Sequence, residues 1–397
     1  MKLILKNGNL VTPLKIINNG GIVIEKGKII KILEEGEKVN SSSSDKVVDA
    51  KGNYISPGFI DIHTHGAGGY DFMDGDVNSI RKACRAHMRY GTTSIIPTTL
   101  TSTMEELFNT LDNFKQAKYE IKNGPNILGL HLEGPYFSME QKGAQDPRFI
   151  KNPDRKEYLK ILNYSNDIIR WTVAPELTGA LEMGNVLRDR GILGCIGHTN
   201  ATYKEALAAY ENGFTHITHL YSGTSTVRRI NAYRCSGVVE SAYLINEMTV
   251  EIIADGKHLP ASLLKLVYKI KGADKICLIT DSMRAAGMPE GEYVLGGLKD
   301  GLKVVVEEGV AKLMDRSSFA GSVATSNILV KTMINLAEIP VSEAVKMVTL
   351  TPARVMKIDN KKGSLSLGKD ADIVIFDKNI NPLMVIVGGN IRVNNVE

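Results

Sequence analysis

The segment Phe59-Ile60-Asp61-Ile62-His63-Thr64-His65 decides the fold class of this chain. It follows Pro57 as a short apolar strand that ends in two histidines, and from this point the sequence alternates strands with helical stretches. Because side chains alternate along a strand, His63 and His65 project to the same side. Two imidazoles on one side are half of a metal site, so the strand is predicted to end at a functional site.

Short apolar strands of this kind recur along the chain, with helical segments between most of them, such as Val77–Tyr90 and Met104–Lys118, and later Tyr203–Asn212 and Ala261–Ile270. Alternating strands and helices predict a parallel sheet, and eight strands predict an α/β fold with a closed (β/α)8 TIM-like barrel over residues 56–357. The predicted strands are Phe59–His63, Thr93–Thr98, Ile127–Leu132, Ile169–Ala174, Ile192–Gly197, His216–Leu220, Thr249–Ala254 and Lys275–Thr280.

The two ends of the chain have a different pattern, in which short strands are separated by turns rich in glycine, asparagine and serine. We predict that residues 1–55 and 358–397 together form one small β-sandwich domain. Its predicted strands are Leu3–Leu5, Gly21–Glu25, Ile29–Leu33, Lys46–Asp49, Gly363–Leu365, Ala371–Phe376 and Met384–Val387.

Composition narrows the classes of function. Of 397 residues, 43% are hydrophobic and 23% are charged, which excludes a largely disordered chain. The net charge of +4 comes from 48 basic and 44 acidic residues without a dense basic run, so no nucleic-acid partner is expected. No stretch has the length of a membrane span or the features of a secretory leader. Four scattered cysteines fit a reducing compartment, so we expect a cytoplasmic protein without a membrane partner.

Polar residues follow the other predicted strands at the same end, where barrel enzymes carry their reactive groups. Any one of them has an ordinary explanation as a hydrogen-bonded core histidine or a helix-capping aspartate. Together they match the nitrogen and oxygen donors that Zn, Fe, Mn or Co sites use. We expect His131 and His216 to support the site and His87 to lie at the surface or in packing. The predicted metal ligands are His63, His65, Glu133, His198, His219 and Asp281.

Other catalytic motifs are missing from the sequence. The glycine-rich loop Gly66–Gly69 is not followed by Gly-Lys-Ser/Thr, and it does not open a dinucleotide-binding helix. There is also no Gly-x-Ser-x-Gly elbow and no cysteine–histidine signature. A covalent serine or cysteine mechanism therefore has no support.

Over nearly its whole length the chain resembles the N-acetylglucosamine-6-phosphate deacetylases of the amidohydrolase superfamily. The resemblance rests on the motifs Pro57–Gly66, His131–Pro135, Gly197–Thr199, Thr218–Leu220, Ala254–His258, Leu278–Met283 and Gly368–Asp372. It implies that Glu133, His198 and His219 bind a main metal. It also implies that His63 and His65 hold a second metal, bridged by Glu133 and completed by Asp281.

Two departures from the family pattern concern the substrate. Where many members have a histidine that polarises the amide carbonyl, this chain has Gln145, and a second metal is expected to take over that role. The loop after His219 is rewritten, and Arg234 keeps the family spacing of the arginine donated to the substrate phosphate of a neighbouring subunit in a homodimer. The predicted substrate-binding residues are Ala144, Gln145, Ser222, Gly223, Arg234, His258, Phe319, Ala320 and Gly321.

The resemblance implies hydrolysis of the acetamide of N-acetylglucosamine 6-phosphate, with one or two divalent ions per chain, zinc first among them. Asp281 is the predicted catalytic residue, which accepts a proton from water and passes it to the leaving amine. The altered loop keeps two alternatives open: the galactosamine epimer of the substrate, or a cyclic amide. A non-catalytic scaffold is a third alternative, which the complete ligand set disfavours.

Overall fold

A computed structural model of the protein describes residues 1–37 and 40–396. Its central element is the predicted parallel barrel. The third predicted strand is divided, because Asn126–Ile127 pairs only with the second barrel strand and a new strand then starts at Leu130. The barrel strands are Phe59–Thr64, Thr92–Thr99, Leu130–Glu133, Ile168–Val173, Leu193–Ile196, Phe214–Ile217, Thr249–Ile252 and Ile276–Leu278.

Each barrel strand pairs in parallel with the next one along the chain, from the first strand to the eighth. The seam between the eighth and first strands is joined just beyond their regular ends. There the Asp281 N–H donates to the His63 carbonyl at 2.9 Å, and the His65 N–H donates to the Ser282 carbonyl at 2.8 Å. Three predicted metal ligands therefore lie on the seam that closes the barrel.

Helices surround the barrel, and several begin with side chains that satisfy their free N–H groups. The helices that start after Thr103 and Thr202 both have a capping box, with Glu106 and Glu205 as the acidic partners. None of the helices in the described ranges is long and apolar enough to cross a bilayer. The helices are Val77–Arg89, Met104–Glu120, Arg155–Tyr164, Ala180–Asp189, Tyr203–Glu211, Val238–Leu244, Ala261–Lys271, Ser326–Asn335, Val341–Val348 and Leu350–Val355.

Strands from both ends of the chain form one eight-stranded sheet with its own apolar core. The join between the two ends is antiparallel, with Ile55 opposite Ile375. Residues 363–365, predicted as a strand, form no strand here, although Leu365 contributes to the core. The predicted boundaries of the terminal domain, residues 1–55 and 358–397, stay a prediction. In spatial order the strands are Asn390–Asn394, Pro382–Val387, Ile373–Phe376, Tyr54–Pro57, Leu3–Val11, Ile16–Glu25 and Lys28–Leu33, with Lys46–Asp49 also paired to Leu3–Val11.

The structure has two groups of strands at the reactive end of the barrel that were not predicted from the sequence. The first is a hairpin of Arg228–Ile230 and Tyr233–Cys235, in the rewritten loop after His219. The second is an antiparallel sheet of Gly291–Leu295, Leu302–Glu307 and Val310–Leu313, which follows the eighth barrel strand. Both insertions carry residues discussed below.

The barrel seam also depends on a buried hydrogen bond between the first and eighth strands. The Thr280 hydroxyl donates to Asp61 Oδ2 at 2.6 Å, and burial raises the pKa of Asp61 to about 6. We expect Thr280→Val to lower the free energy of unfolding by about 1–3 kcal/mol, because it leaves a buried carboxylate short of a donor. Urea unfolding at neutral pH measures the difference.

Ser94→Ala is the matched control, because the buried Ser94 hydroxyl has no hydrogen-bond partner among the described residues. Its removal should change the free energy of unfolding by less than about 1 kcal/mol, since no hydrogen bond is lost. Equal losses in the two variants would show that the Asp61–Thr280 bond does not stabilise the seam.

Candidate metal centre and substrate cavity

All six predicted metal ligands meet at the carboxyl ends of the barrel strands, and all are buried. Glu133, from the third strand, lies at the centre. Its Oε1 atom is 2.9 Å from His219 Nε2 and 3.2 Å from His198 Nε2. These three residues form the group that the family resemblance assigns to a main metal.

A second group lies beside the first and shares the Glu133 carboxylate. Asp281 Oδ1 is 3.1 Å from His65 Nε2 and 3.4 Å from His63 Nε2. Glu133 Oε2 is 3.3 Å from His65 Nε2, and Glu133 Oε1 is 3.5 Å from His63 Nε2. His63 belongs to two possible ion-binding triads, one with Glu133 and His219 and one with His65 and Asp281.

The donor atoms fit one or two divalent ions. His63 Nε2 is buried without a hydrogen-bond partner in the described part of the chain, and it faces both carboxylates. His198 Nδ1 lies 2.8 Å from the Gln141 carbonyl, and His219 Nδ1 lies 2.9 Å from the Ser222 carbonyl. An N–H on each Nδ1 leaves the Nε2 lone pair free for a metal, as is usual for ligating histidines.

The electrostatics of the site favour positive charge. Burial alone lowers the pKa of His63, but the Glu133 and Asp281 carboxylates outweigh it and raise that pKa to about 9. Burial likewise lowers the pKa of His65, and hydrogen bonds to the same two carboxylates raise it to about 10. Burial raises the pKa of Glu133, yet the surrounding imidazoles hold it well below its usual range. Two ionised carboxylates in a buried site are what a divalent cation requires.

Three ligands have an unusual backbone conformation. His198, His219 and Asp281 have positive φ angles of 47°, 28° and 44°. Such angles cost energy in residues other than glycine and persist only where the surroundings impose them. The strain turns the side chains at the strand ends toward Glu133.

Two further histidines support the ligands, as predicted for their positions. His131 lies between Thr98 and Thr172, and its ring packs edge-on against His63 at 4.7 Å. His216 is buried, with its Nδ1 atom 2.6 Å from the Thr249 hydroxyl.

His87 is fully buried, so the surface role considered for it is wrong. Its Nε2 atom lies 2.9 Å from the Thr64 hydroxyl and 3.1 Å from the Gly66 carbonyl. These contacts place His87 in the packing beneath the His63–His65 loop. Helical periodicity alone did not show which face of the helix turns toward the barrel.

A cavity of about 280 Å³ opens directly onto the candidate ligands. Gly223 is required there, because a Cβ atom would lie 3.0 Å from His198 Nδ1 and its φ angle is +55°. Seven of the predicted substrate-binding residues line the cavity: Ala144, Gln145, Ser222, Gly223, His258, Phe319 and Gly321.

His258 and Phe319 form one wall of this cavity. His258 Nδ1 lies 2.7 Å from Asp255 Oδ2, which fixes the ring and leaves Nε2 available for a ligand. Phe319 packs against the His258 ring with centroids 4.8 Å apart, and it is 39% exposed at the cavity mouth. An aromatic ring beside a polar ring suits a sugar, which has both apolar and hydroxyl-bearing faces.

Gln145 makes contacts that differ from the role implied by the family histidine. Its Nε2 donates to Glu133 Oε2 at 2.8 Å, and its Oε1 accepts from the Thr101 N–H at 2.9 Å. Both polar atoms of its side chain are thus occupied within the protein. Gln145 therefore holds the central carboxylate through one of the two N–H groups of its amide.

Two predicted substrate-binding residues lie outside the cavity lining. Ala320 is buried in an apolar cluster with Met283 and Ala285. Arg234 is exposed on the inserted hairpin, where it pairs across the strands with Arg229. Within a single chain, Arg234 therefore does not reach the site.

Several residues of the site were not predicted from the sequence. Leu100, Leu295 and Ser318 line the cavity but belong to no motif, whereas Tyr221 lies in the altered loop after His219 and was not predicted as a site residue. Arg170 and Glu251 lie fully buried inside the barrel beneath the ligands. The sequence could have indicated both residues. Arg170 is the single charged residue of the strand Ile168–Val173, and Glu251 is the single charged residue of the strand Thr249–Ile252.

Comparison with known proteins agrees with this geometry. The amidohydrolase family profile matches residues 54–392. The chain is 32% identical to the N-acetylglucosamine-6-phosphate deacetylase of Lysinibacillus sphaericus, over 99% of this chain and 98% of the relative. It is 30% identical to the N-acetylgalactosamine-6-phosphate deacetylase of Escherichia coli O157:H7, over 87% and 89%. A crystal structure of N-acetylglucosamine-6-phosphate deacetylase from Pasteurella multocida superposes with a TM-score of 0.91 at 29% identity, covering 99% of this chain and 100% of that chain. The chain belongs to the amidohydrolase family.

Proposed function

We propose that this protein is a metal-dependent deacetylase that hydrolyses N-acetylglucosamine 6-phosphate to glucosamine 6-phosphate and acetate. The observation that carries the proposal is the pair of buried carboxylates, Glu133 and Asp281, set among four imidazoles at the floor of an open cavity. Full-length relatives with this activity support the choice of substrate. The reaction belongs to the breakdown of amino sugars.

Divalent ions would be held by Glu133, His198 and His219, and by His63, His65 and Asp281, with zinc as the first candidate. When bound, such an ion lowers the pKa of a water molecule and polarises an amide carbonyl. Gln145 is held by Glu133 and Thr101, and polarisation of the carbonyl would be supplied by the bound ions.

Asp281 is the proposed proton carrier. Burial raises its pKa, but the His63 and His65 imidazoles outweigh burial and lower it, so the carboxylate is ionised at neutral pH. It lies at the cavity surface beside both histidines. From there it can accept a proton from water and deliver it to the leaving amine.

The sugar is held by the cavity walls. His258 offers a ring nitrogen to a hydroxyl group, and Phe319 and Leu295 cover the apolar side. Ser222 and Gly223 also line the cavity and would offer a hydroxyl and a backbone amide. The phosphate would be bound by Arg234 of a second subunit in a cytoplasmic homodimer, since Arg234 is exposed and does not line its own cavity.

The galactosamine epimer is the second candidate substrate. It is favoured by the relative from Escherichia coli O157:H7 and by the rebuilt loop after His219. Acetate release from N-acetylglucosamine 6-phosphate, its galactosamine epimer and unphosphorylated N-acetylglucosamine separates the possibilities. The first compound should be hydrolysed with the highest kcat/KM.

Metal ligands should differ in their effect on activity. We expect the purified protein to contain one to two divalent ions per chain and to lose activity to chelators. His198→Ala should reduce deacetylation more than His63→Ala, because His198 belongs to the main group around Glu133. Elemental analysis beside acetate release measures both effects. Full activity of a metal-free His198→Ala variant would contradict the assignment of the site.

Asp281→Asn should lower kcat by roughly 100- to 10,000-fold, because it removes the proposed base, while KM changes much less. The metal content must be measured in the same preparation, since Asp281 also contacts His63 and His65. Near-normal kcat in a metal-replete Asn variant would exclude Asp281 as the proton carrier.

Arg234→Ala should reduce the preference for the phosphorylated sugar by tenfold or more. Charge-assisted hydrogen bonds from a guanidinium to a phosphate contribute about 1.5–3 kcal/mol each. The readout is kcat/KM for N-acetylglucosamine 6-phosphate relative to the unphosphorylated sugar. Arg229→Ala is the matched control on the same hairpin, and equal effects of the two variants would show that general charge, not Arg234, selects the phosphate.

Mixed dimers test whether Arg234 acts across a subunit interface. An Arg234→Ala chain mixed with an Asp281→Asn chain should regain part of the lost activity, because one site then receives Arg234 from the partner subunit and keeps its own Asp281. If mixing restores nothing after subunit exchange has been shown with labelled chains, the shared site is wrong.

A further inference from the structure

The barrel interior directly beneath the metal ligands contains a fully buried ion pair. Arg170 comes from the fourth barrel strand and Glu251 from the seventh, and the guanidinium donates to Glu251 Oε1. Neither side chain is exposed to solvent. Because burying two charges is costly, such a pair requires many compensating contacts.

The contacts of Glu251 lead to both halves of the metal site. Glu251 Oε2 accepts from His63 Nδ1 at 3.1 Å and from the His219 backbone N–H at 3.3 Å. Its other oxygen, Oε1, is 3.2 Å from His216 Nε2 in addition to its contact with Arg170. One carboxylate thus touches a ligand side chain of one group and the backbone of a ligand in the other.

The contact with His63 differs from those of the other ligands. The Nδ1 atoms of His198 and His219 face backbone carbonyls, those of Gln141 and Ser222. His63 Nδ1 instead faces a carboxylate, and with the Nδ1 proton directed at Glu251 the Nε2 atom could bind an ion held between Glu133 and Asp281. A carboxylate on the far nitrogen fixes the ring and increases its basicity as a ligand.

Arg170 in turn holds Glu251 in place, and it also donates a hydrogen bond to the first barrel strand, which carries His63. Its Nη1 atom donates to the Ile62 carbonyl at 2.8 Å as well as to Glu251. The guanidinium charge balances the carboxylate inside the barrel, where neither side chain is exposed to solvent. The pair therefore fixes the direction of the His63 ring from below.

We propose that Glu251, balanced by Arg170, is a positioning residue that sets the affinity of the His63–His65–Asp281 group for its metal ion. The inference rests on the proposed metal site and names a residue on which that site depends. Loss of Glu251 should weaken this group more than the Glu133–His198–His219 group, because among the ligands in the described part of the chain only the His63 side chain donates a hydrogen bond to Glu251. His219 is contacted through its backbone alone.

The test uses full-length protein stripped of metal by a chelator and titrated with Zn²⁺ against a chromophoric competitor. Wild-type chain should bind two ions. Glu251→Gln should bind the first within a few-fold of wild type and the second about 10- to 100-fold more weakly, as is typical when the partner of a ligating histidine is removed. Substituting Co²⁺ and recording its visible spectrum reports the coordination of each ion without using activity.

Two further variants separate positioning from general damage. Glu251→Gln leaves Arg170 as an uncompensated buried charge, so the double variant Arg170→Met with Glu251→Gln removes both charges and preserves folding. It should show the same selective loss of the second ion. Leu111→Ala, in the core of the helix Met104–Glu120, destabilises the protein without touching the ligands and should bind both ions as wild type does.

Three results would overturn the proposal: a wild-type chain that binds fewer than two ions, second-ion affinity within threefold of wild type in a folded Glu251 variant, or equal weakening of both ions. Acetate release is measured separately. A wild-type chain that binds two ions but releases no acetate would refute the proposed reaction and leave the role of Glu251 standing.

Discussion

The contact between one buried carboxylate, Glu133, and the imidazoles around it is the constraint on which the rest of the site depends. Its two oxygens lie within 3.5 Å of nitrogens from four histidines, which come from three different strand ends. A buried carboxylate without compensating charge would be very costly, so these strands must be brought to one point. The positive φ angles at His198 and His219 show that the backbone accepts strain to make the contact.

Much of this arrangement could be predicted from the sequence because the information is periodic. Strand alternation places His63 and His65 on one side, and parallel strands bring their carboxyl ends together, so the ligand set follows from the order of the strands. The pairing of both chain ends in one sheet followed from the same kind of pattern. Periodicity indicates whether a segment is a helix or a strand, and on which face of that element each residue lies.

Periodicity does not report which side chains meet across a barrel or how an insertion folds. Arg170 and Glu251 are far apart in the chain, and only barrel closure brings them together. The position of Gln145 in the sequence did not indicate its bonds to Glu133 and Thr101, which lie on strands of the barrel or directly after them. The exposed position of Arg234 depends on a hairpin with the turn Asn231-Ala232. Both turn residues have positive φ angles, and neither is a glycine, so the sequence did not indicate a tight turn there.

The terminal sheet has a consequence for how the chain is made by the ribosome. The strand Tyr54–Pro57 pairs on one side with Leu3–Val11, which is synthesised early, and on the other with Ile373–Phe376, which emerges after the whole barrel. Until then Tyr54–Pro57 is an open edge that can pair with another nascent chain. The sheet therefore becomes complete only after the barrel has been synthesised, and a chain that stops before Ile373 keeps an unprotected edge next to its barrel.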